Sequence, residues 1–328
     1  MKRYLLFAFL AMMQVAALAV IVNNGDKFKY THGGKTLWYT ITDASRGYVK
    51  VGRTVTDGSL QTSNAGATTS DVSGDVTIPS TVTWNGVNFT VKEIGEFSFG
   101  RASGTSSLTN VYMPSTVTKI SGYAFQNCTS LASISLPGSV TSIGERAFYG
   151  CSILYFVFAD MTSPCTFGTN AFYGIGSSCY LRVPSGKKSD YINKGWTTSI
   201  FKGGVLDGTV GDTFKYTYEG KAMWYKVTDV TNKCVQVGDG SNAAISTSTT
   251  GTVSIPSSVA VPAIGSNYKV TSIGTQAFYN CTSLTSVSIP SGVTSIGYAA
   301  FMDCSGLTGI TLPNTIRTIG SNAFSGCI

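Results

Sequence analysis

Charge is scarce in this sequence. Asp, Glu, Lys and Arg supply 12% of its 328 residues, and there is one histidine, His32. So few charges argue against long solvated helices and favour short strands joined by turns. The sixteen acidic residues are scattered, with no repeated pair of the kind glycoside hydrolysis requires. A Ser-His-Asp site would have to rest on His32, yet the matching position in a second copy of the same segment is Tyr218. Basic residues cluster only at Lys187, Lys188, Lys194 and Lys202, and aromatics do not interleave with them, which excludes a nucleic-acid groove. Gly33-Gly34-Lys35-Thr36 has the look of the end of a phosphate loop, but Lys29 stands where the upstream glycine belongs. Zinc-ligand spacing is absent. No catalytic residue, cofactor or metal is expected.

Long apolar runs are also lacking, with one exception. Lys2 and Arg3 precede a run from Tyr4 to about Ala19 that closes on Ala17-Leu18-Ala19, the small-residue pattern of a signal-peptidase site. Residues 1–19 therefore read as a cleaved signal peptide. No later run approaches the ~20 apolar residues of a membrane helix, so none is expected in the mature chain. The protein is predicted to be secreted or held at the cell surface.

What the chain has is internal repetition. Val270, Ile273-Gly274, Ala277-Phe278, Cys281, Leu284, Val287 and Ile289-Pro290 recur in the same order from Val293 to Pro313, and begin again at Ile316. Phe278, Phe301 and Phe324 are 23 residues apart, and Phe99, Phe125, Phe148 and Phe172 continue the pattern upstream, with an insertion around Arg101 to Thr105. Leu284-x-x-Val287-x-Ile289 is a leucine-rich-repeat strand, with alternate side chains in core and solvent. The proline ends that strand. Val293-x-x-Ile296-Gly297 predicts a second short extended piece, and Ala-Phe-x-x-Cys a single helical turn with its Phe inward. No rung can bury its apolar face alone, so the rungs must stack.

The rungs fall in two blocks, each behind a matching leader. Phe28-Lys-Tyr30 and Leu37-Trp38-Tyr39 correspond to Phe214-Lys-Tyr216 and Met223-Trp224-Tyr225, and their alternation predicts antiparallel strands. The expected fold is mainly β: a leucine-rich-repeat solenoid with rungs of about 23 residues, in two tandem blocks, each with a β-rich N-terminal cap. The boundaries read as 20–90 for the first cap and 91–203 for the first block. The second cap then spans 204–269 and the second block 270–328. Tyr180 to Pro184 reads as the last strand of the first block. A short helix over Lys187 to Lys194 follows, then a lid of Trp196, Ile200 and Phe201, and a linker after Lys202-Gly203-Gly204. The second block stops in mid-rung at Cys327-Ile328. Its open core edge leaves two readings, a monomer or end-to-end association through that rung.

The motif Val-x-x-Ile-Gly-x-x-Ala-Phe-x-x-Cys-x-x-Leu-x-x-Val-x-Ile-Pro, together with the Tyr191 to Trp196 end segment, resembles the BspA-like leucine-rich-repeat family of microbial surface proteins. Ser121 in place of Gly, Ser98 in place of Ala, and the missing Cys in the Phe172 rung are departures from it. The resemblance implies a surface location and adhesion to host proteins or other cells, and no catalytic residue.

Cys128, Cys151, Cys281, Cys304 and Cys327 share one rung position, which predicts an inward ladder of small side chains. Cys165 and Cys179, in one irregular rung, are the pair the spacing offers for a disulfide. On the repeat strands, the residues between core positions should face solvent. They are bland in the second block (Ser286, Ser288, Gly309, Thr311), whereas the first carries Tyr112, Phe156, Phe158, Tyr180 and Arg182. Aromatics plus Arg are the composition of interface anchors. These five are the expected binding residues for an extracellular protein or glycan, unless the linker, the long loop or the second unit covers them, or the register slips at Phe156. A spacer presenting a missing C-terminal domain is the alternative.

Overall fold

The computed structural model of the chain describes residues 22–52, 72–101, 106–262 and 264–327. The signal-peptide run, the polar loop from Thr56 to Asp71 and the insertion at 102–105 lie outside the described residues.

The first leader forms β1 (Lys27–His32), β2 (Lys35–Asp43) and β3 (Tyr48–Val51), an antiparallel meander as the alternation predicts. Its inward residues Phe28, Leu37, Tyr39, Ile41, Val49 and Val51 are buried. Next come β4 (Gly74–Thr77), β5 (Thr81–Trp84) and β6 (Val87–Ile94). The β5–β6 hairpin turns at Asn85-Gly86, both at positive φ, as a two-residue hairpin loop requires.

The rungs follow as β7 (Leu108–Tyr112), β8 (Lys119–Ile120), β9 (Ser133–Leu136), β10 (Ser142–Ile143), β11 (Phe156–Ala159) and β12 (Tyr180–Arg182). Two parallel ladders result. The short strands extend the leader's sheet in the order β3, β6, β8, β10. The repeat strands line up along the other side in two sheets, β4 paired to β7, and β9 to β11 with β11 in turn to β12. The leader thus contributes a strand to each ladder, closing the end of the solenoid where core would otherwise be bare.

The third side of each rung differs from expectation. Ala-Phe-x-x-Cys makes no helical turn; it is a chain of tight turns closed by i→i+3 bonds such as Gln126 N to Tyr123 O and Cys128 N to Phe125 O. A left-handed residue interrupts any helix in all seven rungs. Phe97, Tyr123, Arg146, Asn170, Gln276, Ala299 and Asn322 have φ between 49° and 58°. Five of these are not residues that favour that region, so the stacking of the rungs imposes it. Amide bonds between rungs run from Phe125 to Ala147 and from Phe148 to Ala171. The inward rings form two stacks: Phe99, Phe125, Phe148 and Phe172 have centroids 5.0–5.3 Å apart, and Phe278, Phe301 and Phe324 4.9–5.3 Å.

The first block closes on α1 (Lys188–Asn193), with Gly195 at positive φ just beyond. Trp196 and Phe201 are fully buried, and Trp196 Nε1 donates to the Cys165 carbonyl at 2.8 Å. The stretch expected as a linker after Gly204 instead begins within β13 (Gly204–Leu206), paired in parallel with β12. One more strand thus follows Tyr180 to Pro184 in this sheet.

The second unit repeats the plan with β14 (Thr213–Tyr218), β15 (Lys221–Asp229), β16 (Cys234–Val237), β17 (Gly251–Ser254), β18 (Ser258–Ala260), β19 (Asn267–Ile273), β20 (Leu284–Ser288), β21 (Ser295–Ile296) and β22 (Thr318–Ile319). There are two cores, and β13 belongs to both. Val205 packs into the first and Leu206 into the second, because successive side chains on a strand point opposite ways.

Both Cys165 and Cys179 are buried free thiols, so the disulfide that their spacing offers is not formed. The Cys165 thiol lies 3.8 Å from Met161 Sδ, and that of Cys179 turns to the Tyr180 carbonyl.

Candidate binding face

The outward side chains of the first unit's repeat strands fall in two rows, fixed by register within each of the two sheets and joined between them where Ser133 Oγ donates to Asn110 Oδ1 at 3.3 Å. One row runs Asp75, Asn110, then Ser133, Phe156, Tyr180 and Gly204; the other runs Thr77, Tyr112, then Ser135, Phe158, Arg182 and Leu206. The registers align Phe156 with Tyr180 and Phe158 with Arg182, with no slip at Phe156.

Of the five expected face residues, Tyr112 is 55% exposed, Arg182 is exposed, and Phe156 and Phe158 are half-buried. Tyr180 departs from expectation. It is only 8% exposed, stacks on Phe156 at 5.6 Å, and donates its hydroxyl to the Lys215 carbonyl of β14. Burial pushes its phenol up to about 12. The reason is tertiary: the β14–β15 hairpin of the second unit covers this end of the sheet, so Tyr180 joins the second core and Phe156 packs partly against it. A second tie runs from Lys188 on α1 to the fully buried Asp212 at 2.8 Å. Asp212 also accepts from the amides of Asp207 and Gly208. Burial raises its carboxyl, and the Lys188 ammonium opposes the rise.

What remains open is a strip with Asp75 and Asn110 at one end and Phe158 and Arg182 at the other. Asp75 accepts from Thr109 Oγ1 at 2.6 Å and Asn110 Nδ2 at 2.7 Å, bonds that hold its carboxyl below the ordinary value. The sequence reading missed Asp75. The signal was present: Val76-Thr-Ile78-Pro79 repeats Val287-Ser-Ile289-Pro290 and marks a repeat strand inside the leader. In the second unit the positions of Asp75, Asn110 and Tyr112 are held by Thr252, Ser286 and Ser288. The fold does not need the first unit's residues there.

His32 ends β1 in an exposed hairpin. Among the described residues no group of three or more His, Cys, Asp or Glu could hold a metal, and no helix is long and apolar enough to cross a membrane.

Stacked parallel strands, inward rings and a leader that caps both ladders define a leucine-rich-repeat solenoid. The chain belongs to the BspA-type leucine-rich-repeat family, whose repeat-region model matches in six copies over residues 78–194 and 251–328. Among solved structures, it is similar to a leucine-rich repeat protein from Bacteroides ovatus, at 18% identity over 94% of this chain and 92% of that one, with a TM-score of 0.36. It is also similar to a leucine-rich cell surface protein from Faecalibacterium prausnitzii, at 20% identity over 92% and 80% of the chains and a TM-score of 0.28. A leucine-rich repeat protein from T. pallidum matches at 20% identity over 91% and 89%, also with a TM-score of 0.28. No curated protein matches.

Proposed function

We propose that this chain is an exported, cell-surface binding protein of adhesin type that uses the open strip of its first repeat sheet to hold an extracellular protein or glycan. One observation carries the reading: Tyr112, Phe158 and Arg182 stand at outward positions of the first unit's parallel repeat strands, and the second unit's counterpart of Tyr112 is Ser288. Aromatics and Arg are the residues that most often carry the binding energy of an interface. Export rests on the signal-peptide pattern of residues 1–19, and the family resemblance supports a surface location. The role is binding rather than catalysis. The division into two capped blocks, at 20–203 and 204–328, belongs to the same proposal, with β13 as the shared strand.

The test is a capture assay of extracellular proteins and glycans with the parent chain and a Tyr112→Ser, Phe158→Ser, Arg182→Gln variant. Binding should be lost while the melting temperature stays within a few degrees. A second reading, a structural spacer, is favoured by β13, which welds the two units end to end. If the triple variant binds as well as the parent, the spacer reading replaces the first.

A further inference from the structure

Away from the sheet face, the Phe172 rung of the first block and the closing segment line a half-open cleft of about 500 Å³. That is within the usual range for small-ligand sites, and so is its construction, an apolar floor under a polar rim. Phe172 and Ile200 are among the floor residues. Contacts of Phe172 with Trp196 at 5.4 Å and Phe201 at 5.3 Å hold the floor in place. Asn170, Tyr173, Ser177 and Lys202 stand on the rim, all exposed.

Three features specify the occupant. Lys202 is the only charged residue lining the cavity, and among the described residues it makes no ion pair. Tyr173 is 62% exposed although its ring stacks on Tyr149 at 5.4 Å, and Arg146 lies over Tyr149 in turn. The ring is thus braced from one side and still open to a ligand. Asn170 and Ser177 add amide and hydroxyl groups at the mouth. A single cation, a braced aromatic surface and neutral hydrogen-bonding groups match one anionic ring with an apolar face and hydroxyl edges. The lining has no Arg to grip a phosphate in bidentate fashion, and a purely apolar ligand would leave the rim unused.

We infer that this cavity is a binding site for a carboxylated sugar, with Tyr173 stacking on the pyranose face and Lys202 pairing with the carboxylate. The site is separate from the sheet face and stands whether or not that face binds a ligand. It is tested by calorimetric titration of the full chain with methyl β-D-glucuronide, its neutral counterpart methyl β-D-glucoside, acetate and a polyglutamate peptide. The glucuronide should bind at least tenfold more tightly than the glucoside or acetate, and more weakly as salt rises. Lys202→Gln and Tyr173→Ala should each weaken it at least tenfold with unchanged melting temperatures, while Phe158→Ser leaves it intact. No binding to the parent, equal binding of the glucoside or acetate, or no loss in Lys202→Gln overturns the assignment. Tighter binding of polyglutamate, lost in the same variants, overturns it in favour of an acidic protein ligand.

Discussion

The thiol of Cys304 donates to the carbonyl of Phe278, one rung back, at 2.9 Å. The same carbonyl accepts the amide of Cys281 in its own rung, so both lone pairs are used. The contact recurs from Cys128 to Phe99, from Cys151 to Phe125 and from Cys327 to Phe301. Cys281 has no such Phe in a rung before it, and its thiol turns to the Tyr279 carbonyl instead. The cysteine at this position is thus a donor between rungs as well as a small apolar filler. Replacing Cys304 with Ala should cost about 1–2 kcal/mol, from a lost weak bond and a small void. Urea denaturation measures this, and an unchanged midpoint would remove the bond from the account.

The same burial makes the fold sensitive to alkali. Desolvation pushes the thiols of Cys128, Cys179 and Cys304 up to about 12 and that of Cys281 to about 11, from an ordinary value of 9.0. A raised folded-state value favours the neutral thiol, so the stabilisation is complete below about pH 9. It is lost as pH climbs toward 12. Melting temperatures measured from pH 8 to 11 should fall, and more shallowly for Cys304→Ala.

At Gly144 and Gly320, after the short strand, the neighbouring rung leaves no room for a side chain. A Cβ on Gly144 would stand 2.3 Å from the backbone nitrogen of Gly122, and one on Gly320 2.5 Å from that of Tyr298. Backbone on both sides cannot yield. Gly144→Ala should destabilise by about 2 kcal/mol or more, whereas Gly309→Ala, with nothing within 4 Å, should stay within about 0.5 kcal/mol. Equal melting temperatures for the two variants would contradict the packing argument.

The Lys188–Asp212 pair joins the two units, and its loss should depend on pH. Lys188→Gln leaves a buried carboxylate unpaired at neutral pH, at a cost of about 3–5 kcal/mol. Asp212 already has a raised folded-state value, so its contribution to stability is fullest in acid and declines as pH rises through that value. Without the ammonium that value should rise further, so the cost of Lys188→Gln should shrink between pH 7 and pH 4. Denaturation curves at the two pH values decide it; a cost independent of pH would mean the pair matters only as packing.

The sequence by itself determined the repeat, because its period lies in the order of side chains that must be buried. Phe301 stacks where the 23-residue spacing places it, and Val287 and Ile296 point inward. The antiparallel leader was legible from its alternation at Phe28, Leu37 and Tyr39 for the same reason. Only the tertiary structure decided the rest. Left-handed backbone at Arg146 or Gln276 follows from hydrogen bonds to the next rung, not from a local preference. Gly204 to Leu206 carries no repeat motif and becomes a strand because β12 offers an unpaired edge. The candidate face was legible in composition but not in extent. Alternation told which side chains leave the first core, and at Tyr180 that direction leads into the second core rather than to solvent. A period fixes the inside of a solenoid, whereas what covers its outside depends on residues distant in sequence.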